Sequence, residues 1–135
     1  MPNLAAHAQA HRAKAERNEM LCRELLDRAP DWSVTMAFYA ALHVIGQYAH
    51  LVTDEEVDLV GHAQTTAWLH KRQELRRIAP TYAKLMNYAH RARYECLPAH
   101  DALLQPETVR TRVLPMLQEV KRCVDLALRR LPPTP

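Results

Sequence analysis

The chain has 135 residues, 48% of them hydrophobic, and a formal net charge of +3. That is enough apolar material for the core of one domain, and too little charge to point by itself to nucleic acid. With only Gly46, Gly61 and a single serine, Ser33, it cannot build a glycine-rich phosphate loop, a dinucleotide fingerprint or a Gly-x-Ser-x-Gly nucleophile turn.

Fourteen of the eighteen basic residues are arginine, whose planar fork suits phosphate and carboxylate groups. Cys22, Cys96 and Cys123 stand far apart, with no Cys-x-x-Cys, so neither a zinc knuckle nor a disulfide framework is indicated. The first residues lack a signal-peptide apolar stretch and no run is long enough to span a bilayer, which predicts a soluble chain in a reducing cytoplasm.

In chain order, Asn3 to Arg28 is rich in strong helix formers, with Leu4, Ala8, Ala15, Cys22, Leu25 and Ala29 at helical spacing. Asn3 is placed to cap this helix and Pro30 to end it. Asp31 is the expected N-cap of a second helix, Trp32 to Val52. One of its faces carries Val34, Phe38, Leu42, Ile45 and Val52. Another carries Thr35, Tyr39, His43, Gln47 and His50, in steps of about four. So apolar a helix with a half-polar second face belongs at the centre of a bundle, where its polar groups need internal partners.

Residues 53–64 read as the main loop, with Asp54, Glu55, Glu56 and Asp58 leading to Gly61-His62. A third helix is expected from Thr65 to Ile78, with Trp68 and Leu75 inward and a basic surface of His70, Lys71, Arg72, Arg76 and Arg77. Pro80 is expected to break it, and a fourth helix follows from Thr81, burying Tyr82, Leu85, Met86 and Ala89 and running into Arg91-Ala92-Arg93-Tyr94. Pro98 and Pro106 bracket a loop. Pro106 suits the first position of the last helix, with Glu107 favourable in its first turn. Val109, Val113, Met116, Val120, Val124 and Leu131 form that helix's stripe, and Pro115 should bend it. The expectation is an all-α, up-and-down bundle of about five helices, a single domain over 1–131 with a proline-rich tail at 132–135.

Three groups could carry chemistry. His7 and His11, four apart, share a helical face, but no third ligand lies near in sequence; they read as surface histidines, and neither a metal nor another cofactor is expected. Tyr39 and His43, with His62 nearby, read either as a polar network tying the bundle together or as the lining of a functional pocket. Arg91, Arg93 and Tyr94 end the fourth helix and precede His100. Histidine can exchange a proton with a 2′-hydroxyl near neutrality and arginine can neutralise charge growing on a phosphate; arginines also suit a helix C-terminus for purely structural reasons.

Asp31-Trp32-Ser33-Val34-Thr35 followed by Phe38-Tyr39-Ala40-Ala41-Leu42-His43 resembles the early helix of small prokaryotic HEPN-like proteins. Gly61-His62, Tyr82 with Leu85, and Ala92-Arg93-Tyr94 follow in the same order, so the resemblance covers residues 10–125. Its best-marked parts are Trp32 to His43 and Ala92 to Tyr94. The resemblance implies a helical bundle that pairs as a homodimer or with a hetero-partner. It also implies an RNA-directed effector of toxin–antitoxin or phage-defence type, in many members a metal-independent endoribonuclease with an Arg-x4–6-His motif shared across the dimer. Arg93 and His100 are the match to that motif. It departs from the usual pattern in having Tyr94 after the arginine and Pro98 between the pair.

On this reading Arg93 and His100 are catalytic, while Arg72, Arg76, Arg77 and Arg91 hold RNA phosphates. The polar network is Tyr39, His43, His62 and Tyr94. The alternative is a non-catalytic HEPN-like interaction or dimerisation module partnering another subunit, with that network structural. A small-ligand or nucleotide-binding bundle, with that polar group inside a pocket between the second and third helices, is a third reading.

Overall fold

The computed structural model describes residues 4–53 and 62–132, and among them every regular element is helical. Helix α1 spans Leu4–Leu25, α2 Pro30–Val52, α3 His62–Lys71 and α4 Ala79–Tyr94. The C-terminal helix is made of three consecutive segments: Pro106–Thr108, a wide π turn Val109–Val113, and Leu114–Arg129. Asn3, the acidic stretch of residues 54–58, Gly61 and residues 133–135 lie outside the described residues, as do the side chains of Leu4, His62 and Ala63.

The prolines open helices where two were expected to close them. Pro30 stands in the first turn of α2, while α1 stops at Leu25 on its own turn, with Ala29 N–H donating to Leu25 O at 2.7 Å. Asp31 is therefore inside the first turn of α2, and its carbonyl accepts from the Thr35 hydroxyl at 3.0 Å rather than its side chain capping the helix. The expected third helix is divided in two. α3 ends at Lys71, a turn follows, and a 3₁₀ turn Arg76–Ile78 leads into α4, with Pro80 in its first turn. One cause covers both corrections: first-turn N–H groups have no intrahelical acceptor, so a residue lacking that N–H costs nothing there.

Pro115, expected to bend the C-terminal helix, stands just after its wide π turn. Leu114 N–H bonds five residues back to Val109, the π pattern. Pro115 has no N–H for the carbonyl four residues earlier, and its ring presses on that turn; widening the turn relieves the contact.

α2 is the hub. Its connection to α1 is short, and the contacts His11 to His43 and Cys22 to Ser33 show the two helices antiparallel. α1 offers small residues at seven-residue spacing, Ala8, Ala15 and Cys22, all buried, which lets the backbones approach closely. The closest approach is at Gly46, where a Cβ would lie 2.9 Å from His11 Nδ1. Opposite this seam, Val34, Phe38, Ala41 and Ile45 of α2 pack with Tyr82 and Leu85 of α4 and with Val113, Leu117, Val120 and Val124 of the C-terminal helix, all fully buried. The C-terminal helix is tied back to α1 by Lys121 to Glu19 at 2.6 Å and by Arg12 to Asp125 at 2.9 Å. Leu42, Val52, Trp68, Met86, Met116 and Leu131, expected inside, sit partly buried at the margin of the core.

Candidate functional site

The polar face of α2 finds the internal partners it needed, from two different helices. Gln47 accepts from Arg12 at 3.4 Å, and His43 meets His11 Nδ1 to Nδ1 at 2.9 Å, both across the α1 seam. Tyr39, one turn earlier, is reached instead by α4: Arg93 donates to its hydroxyl at 2.5 Å.

That hydrogen bond is the centre of the candidate site. Arg93 lies in the last turn of α4, and its Nε bonds back to Ala89 O at 3.3 Å, which fixes the root of the guanidinium. The guanidinium lies against two rings, 5.5 Å from the centroid of Tyr39 and 5.0 Å from that of Tyr94. Phe38, fully buried, stands behind Tyr39 at 5.4 Å between ring centroids and contacts Tyr82 on its other side at 5.5 Å. The site thus rests on the rigid core, which keeps the guanidinium in one orientation. Tyr94 is 67% exposed, and its ring packs against His90 with centroids 4.9 Å apart. A half-buried arginine, a tyrosine hydroxyl that keeps its own proton to donate, and an exposed aromatic pair therefore share one end of α4. Such a group can hold an anionic oxygen and stack a planar ring beside it.

His100 is exposed in the turn after Pro98, where Asp101 N–H donates to Pro98 O at 2.9 Å. Among the described residues no hydrogen bond, ion pair or ring contact joins His100 to Arg93 or Tyr39. Arg91 points elsewhere, bridging to Asp101 at 3.0 Å and Glu95 at 3.3 Å, and so holds the following loop against α4. Arg72 lies over Trp68 and pairs with Glu74, which also accepts from Tyr48. Arg76 bonds its own neighbourhood through His70 O at 3.0 Å. Arg77 lines a separate cleft on the C-terminal helix. Of the four arginines expected to hold phosphate, Arg72, Arg76 and Arg91 are thus each engaged within the chain, and Arg77 lines the cleft.

His43, grouped with Tyr39 by sequence, belongs to a different assembly. His11 contacts both His43 and His50, stacking on His50 with centroids 4.9 Å apart, and His7 meets the edge of His50 at 5.7 Å. Burial, then the neighbouring His11 and Lys14, push His43 down to about 4, and burial together with His50, His7 and Lys14 lowers His11 as well. Both shifts favour the neutral ring, and the bond requires at least one of the two to be neutral, since one nitrogen must accept. The Nδ1 of His50 is buried and no partner among the described residues reaches it. Among the described residues, no group of three or more His, Cys, Asp or Glu is disposed to hold a metal ion.

The four-residue step of His7 and His11 and the seven-residue step of His43 and His50 were both visible in the sequence; that the two pairs meet depends on which face of α2 receives α1. No protein-family model, no curated protein and no solved structure matches this chain.

Proposed function

We propose that the chain is a HEPN-like, RNA-directed effector whose RNA-contacting surface is centred on Arg93. One observation carries the reading: the Arg93–Tyr39 hydrogen bond joins the two segments on which the resemblance chiefly rests, Trp32 to His43 and Ala92 to Tyr94. Nothing in helical periodicity requires these segments to converge on a charged pair beside an exposed tyrosine. The chemistry suits a single-stranded RNA. Arg93 and the Tyr39 hydroxyl take the phosphate, while Tyr94 and His90 offer rings for a base.

The sharper form of the proposal is metal-independent cleavage in a dimer. His100 removes the proton of the 2′-hydroxyl, and the oxygen attacks the adjacent phosphorus to give a 2′,3′-cyclic phosphate. The P–O5′ bond breaks with the leaving 5′-oxygen taking a proton from solvent, and Arg93 neutralises the charge that develops on the phosphate. His100 of one protomer reaches the Arg93 site only if the loop moves or if a second copy supplies it. The test is a labelled RNA incubated with protein in excess EDTA. Arg93→Ala and His100→Ala should each lower the cleavage rate by about a hundredfold or more. RNA left intact and unbound by a confirmed dimer would overturn the proposal.

The second reading, a non-catalytic HEPN-like module that pairs with itself or another subunit, is favoured by the exposed position of His100 and by the engagement of Arg93 with Tyr39 and Ala89. Binding of RNA without cleavage, with both substitutions silent on the RNA's integrity, would select it.

A further inference from the structure

A cleft of about 1030 Å³ lies between the segment preceding α4 and the second half of the C-terminal helix. Its walls come from a single face of that helix, Glu119, Arg122, Cys123, Leu126, Ala127 and Arg130, spaced at three and four residues, with Pro115 one turn before. Across from them stand Gln73, Glu74 and Arg77.

The charges in this cleft are not equivalent. Each carboxylate is already engaged: Glu74 accepts from Tyr48 at 2.9 Å and from Arg72 at 3.0 Å, and Glu119 from Thr81 at 3.3 Å. Arg77, Arg122 and Arg130 have no hydrogen-bonding or ion-pair partner among the described residues. Three guanidinium-bearing residues without partners thus line one concavity with two carboxylates, of which Glu74 is paired with Arg72 and Glu119 is bonded only by the Thr81 hydroxyl, leaving an excess of positive charge. Between them lies apolar surface. Leu126 is 44% exposed, next to the buried Ala127, with Pro115 three turns earlier at the far end of the cleft and the Cys123 thiol closing the floor through a bond to Glu74 O at 3.5 Å.

We propose that this cleft binds a small phosphorylated ligand with an apolar or planar body, of the nucleotide class. Arginine forks meet phosphate oxygens two at a time, and a pyrophosphate-sized group offers enough oxygens for all three. The ring of a nucleotide then covers Leu126, an apolar side chain that is otherwise left in water. The volume is that of a small-molecule site. The apolar Leu126 between the arginines favours such a ligand over a bare phosphate backbone. The site is separate from the Arg93 surface and stands or falls without it.

The test is a titration of the full-length protein with a fluorescent mant-labelled ATP analogue, competed by unlabelled ATP, by inorganic pyrophosphate and by a ten-nucleotide RNA. Arg77→Ala and Arg122→Ala alter exposed side chains and should leave the helical circular-dichroism signal intact. Saturable binding is expected, weakened tenfold or more by either substitution, weakened by salt and unaffected by Arg93→Ala. ATP should compete better than pyrophosphate, since only ATP uses the apolar wall. No saturable binding at millimolar analogue, or binding unchanged in the Arg77→Ala/Arg122→Ala double variant, would overturn the proposal. So would displacement by the RNA at lower concentration than by ATP, which would make the cleft part of an RNA path.

Discussion

Tyr39 and His43 sit one turn apart on the same face of α2, yet the two ends of that polar face have different fates. From His43 onward the face is covered by α1, and its imidazoles and amide are consumed in contacts with His11 and Arg12. At Tyr39 the cover comes from the end of α4, which brings a guanidinium and leaves an aromatic residue in solvent. A polar stripe on a central helix is thus neither structural nor functional as a whole; its role changes where the helix packed upon it changes. The first end looks built for stability and the second for contact with something outside the chain.

The largest effect expected bears on what holds the Tyr39 end in place. Phe38 is fully buried between Tyr39 and Tyr82, and Phe38→Ala should cost about 3–5 kcal/mol by loss of buried area and creation of a cavity. Urea unfolding measures this directly. A cost under about 1 kcal/mol would mean that the wall behind Tyr39 is not rigid and that the two ends differ less than described.

The histidine end makes a prediction in pH. A histidine with a folded pKa lowered to about 4 binds fewer protons folded than unfolded between that value and about 6.5. Its contribution is therefore complete above about 6.5 and is lost as the pH falls toward 4. His11 is shifted in the same direction, so the two reinforce one another. Because water reaches the half-buried His43 ring and screens it, the loss attributable to that residue should be about 1–2 kcal/mol. Thermal melts at pH 7.0, 5.5 and 4.5 should show this decline, and His43→Gln should flatten it. An unchanged slope in the variant would place the acid sensitivity elsewhere.

The smallest effect probes the closest backbone approach. Gly46→Ala adds a methyl 2.9 Å from His11 Nδ1, which must swing away from His43. The helix gains about 1 kcal/mol from losing a glycine, so the net change should be a loss of about 1 kcal/mol or less. In a His11→Ala background the obstacle is gone, and the same substitution should become stabilising by about 0.5–1 kcal/mol. Equal effects in both backgrounds would show that the two helices do not meet at this point.

These elements also mark what was legible in the sequence. The five helices, the buried faces of α2 and the C-terminal helix, and an irregularity of that helix beside Pro115 all follow from periodicity and proline chemistry, because each depends on near neighbours in sequence. The break at Lys71 was hidden, since basic residues and leucines of similar helix propensity run through it. The prolines at 30 and 80 were read as stops because a sequence shows a proline between helices without showing which of the two it joins. Arg93 and Tyr39 were each singled out, but for separate groups, and their contact over 54 residues was not local information. The cleft of Arg77, Arg122 and Arg130 was invisible for the same reason.

The central claim, that the Tyr39 end of the stripe is the functional one and the histidine end the structural one, is tested most directly by a single crossed measurement. Fluorescence anisotropy with a labelled single-stranded RNA, alongside thermal melts at pH 7.0, is run on the wild type, Arg93→Ala and His43→Gln. Arg93→Ala should weaken RNA binding tenfold or more with little change in melting temperature, and His43→Gln should leave binding intact while lowering it. Binding that survives Arg93→Ala but collapses in a well-folded His43→Gln would contradict the account.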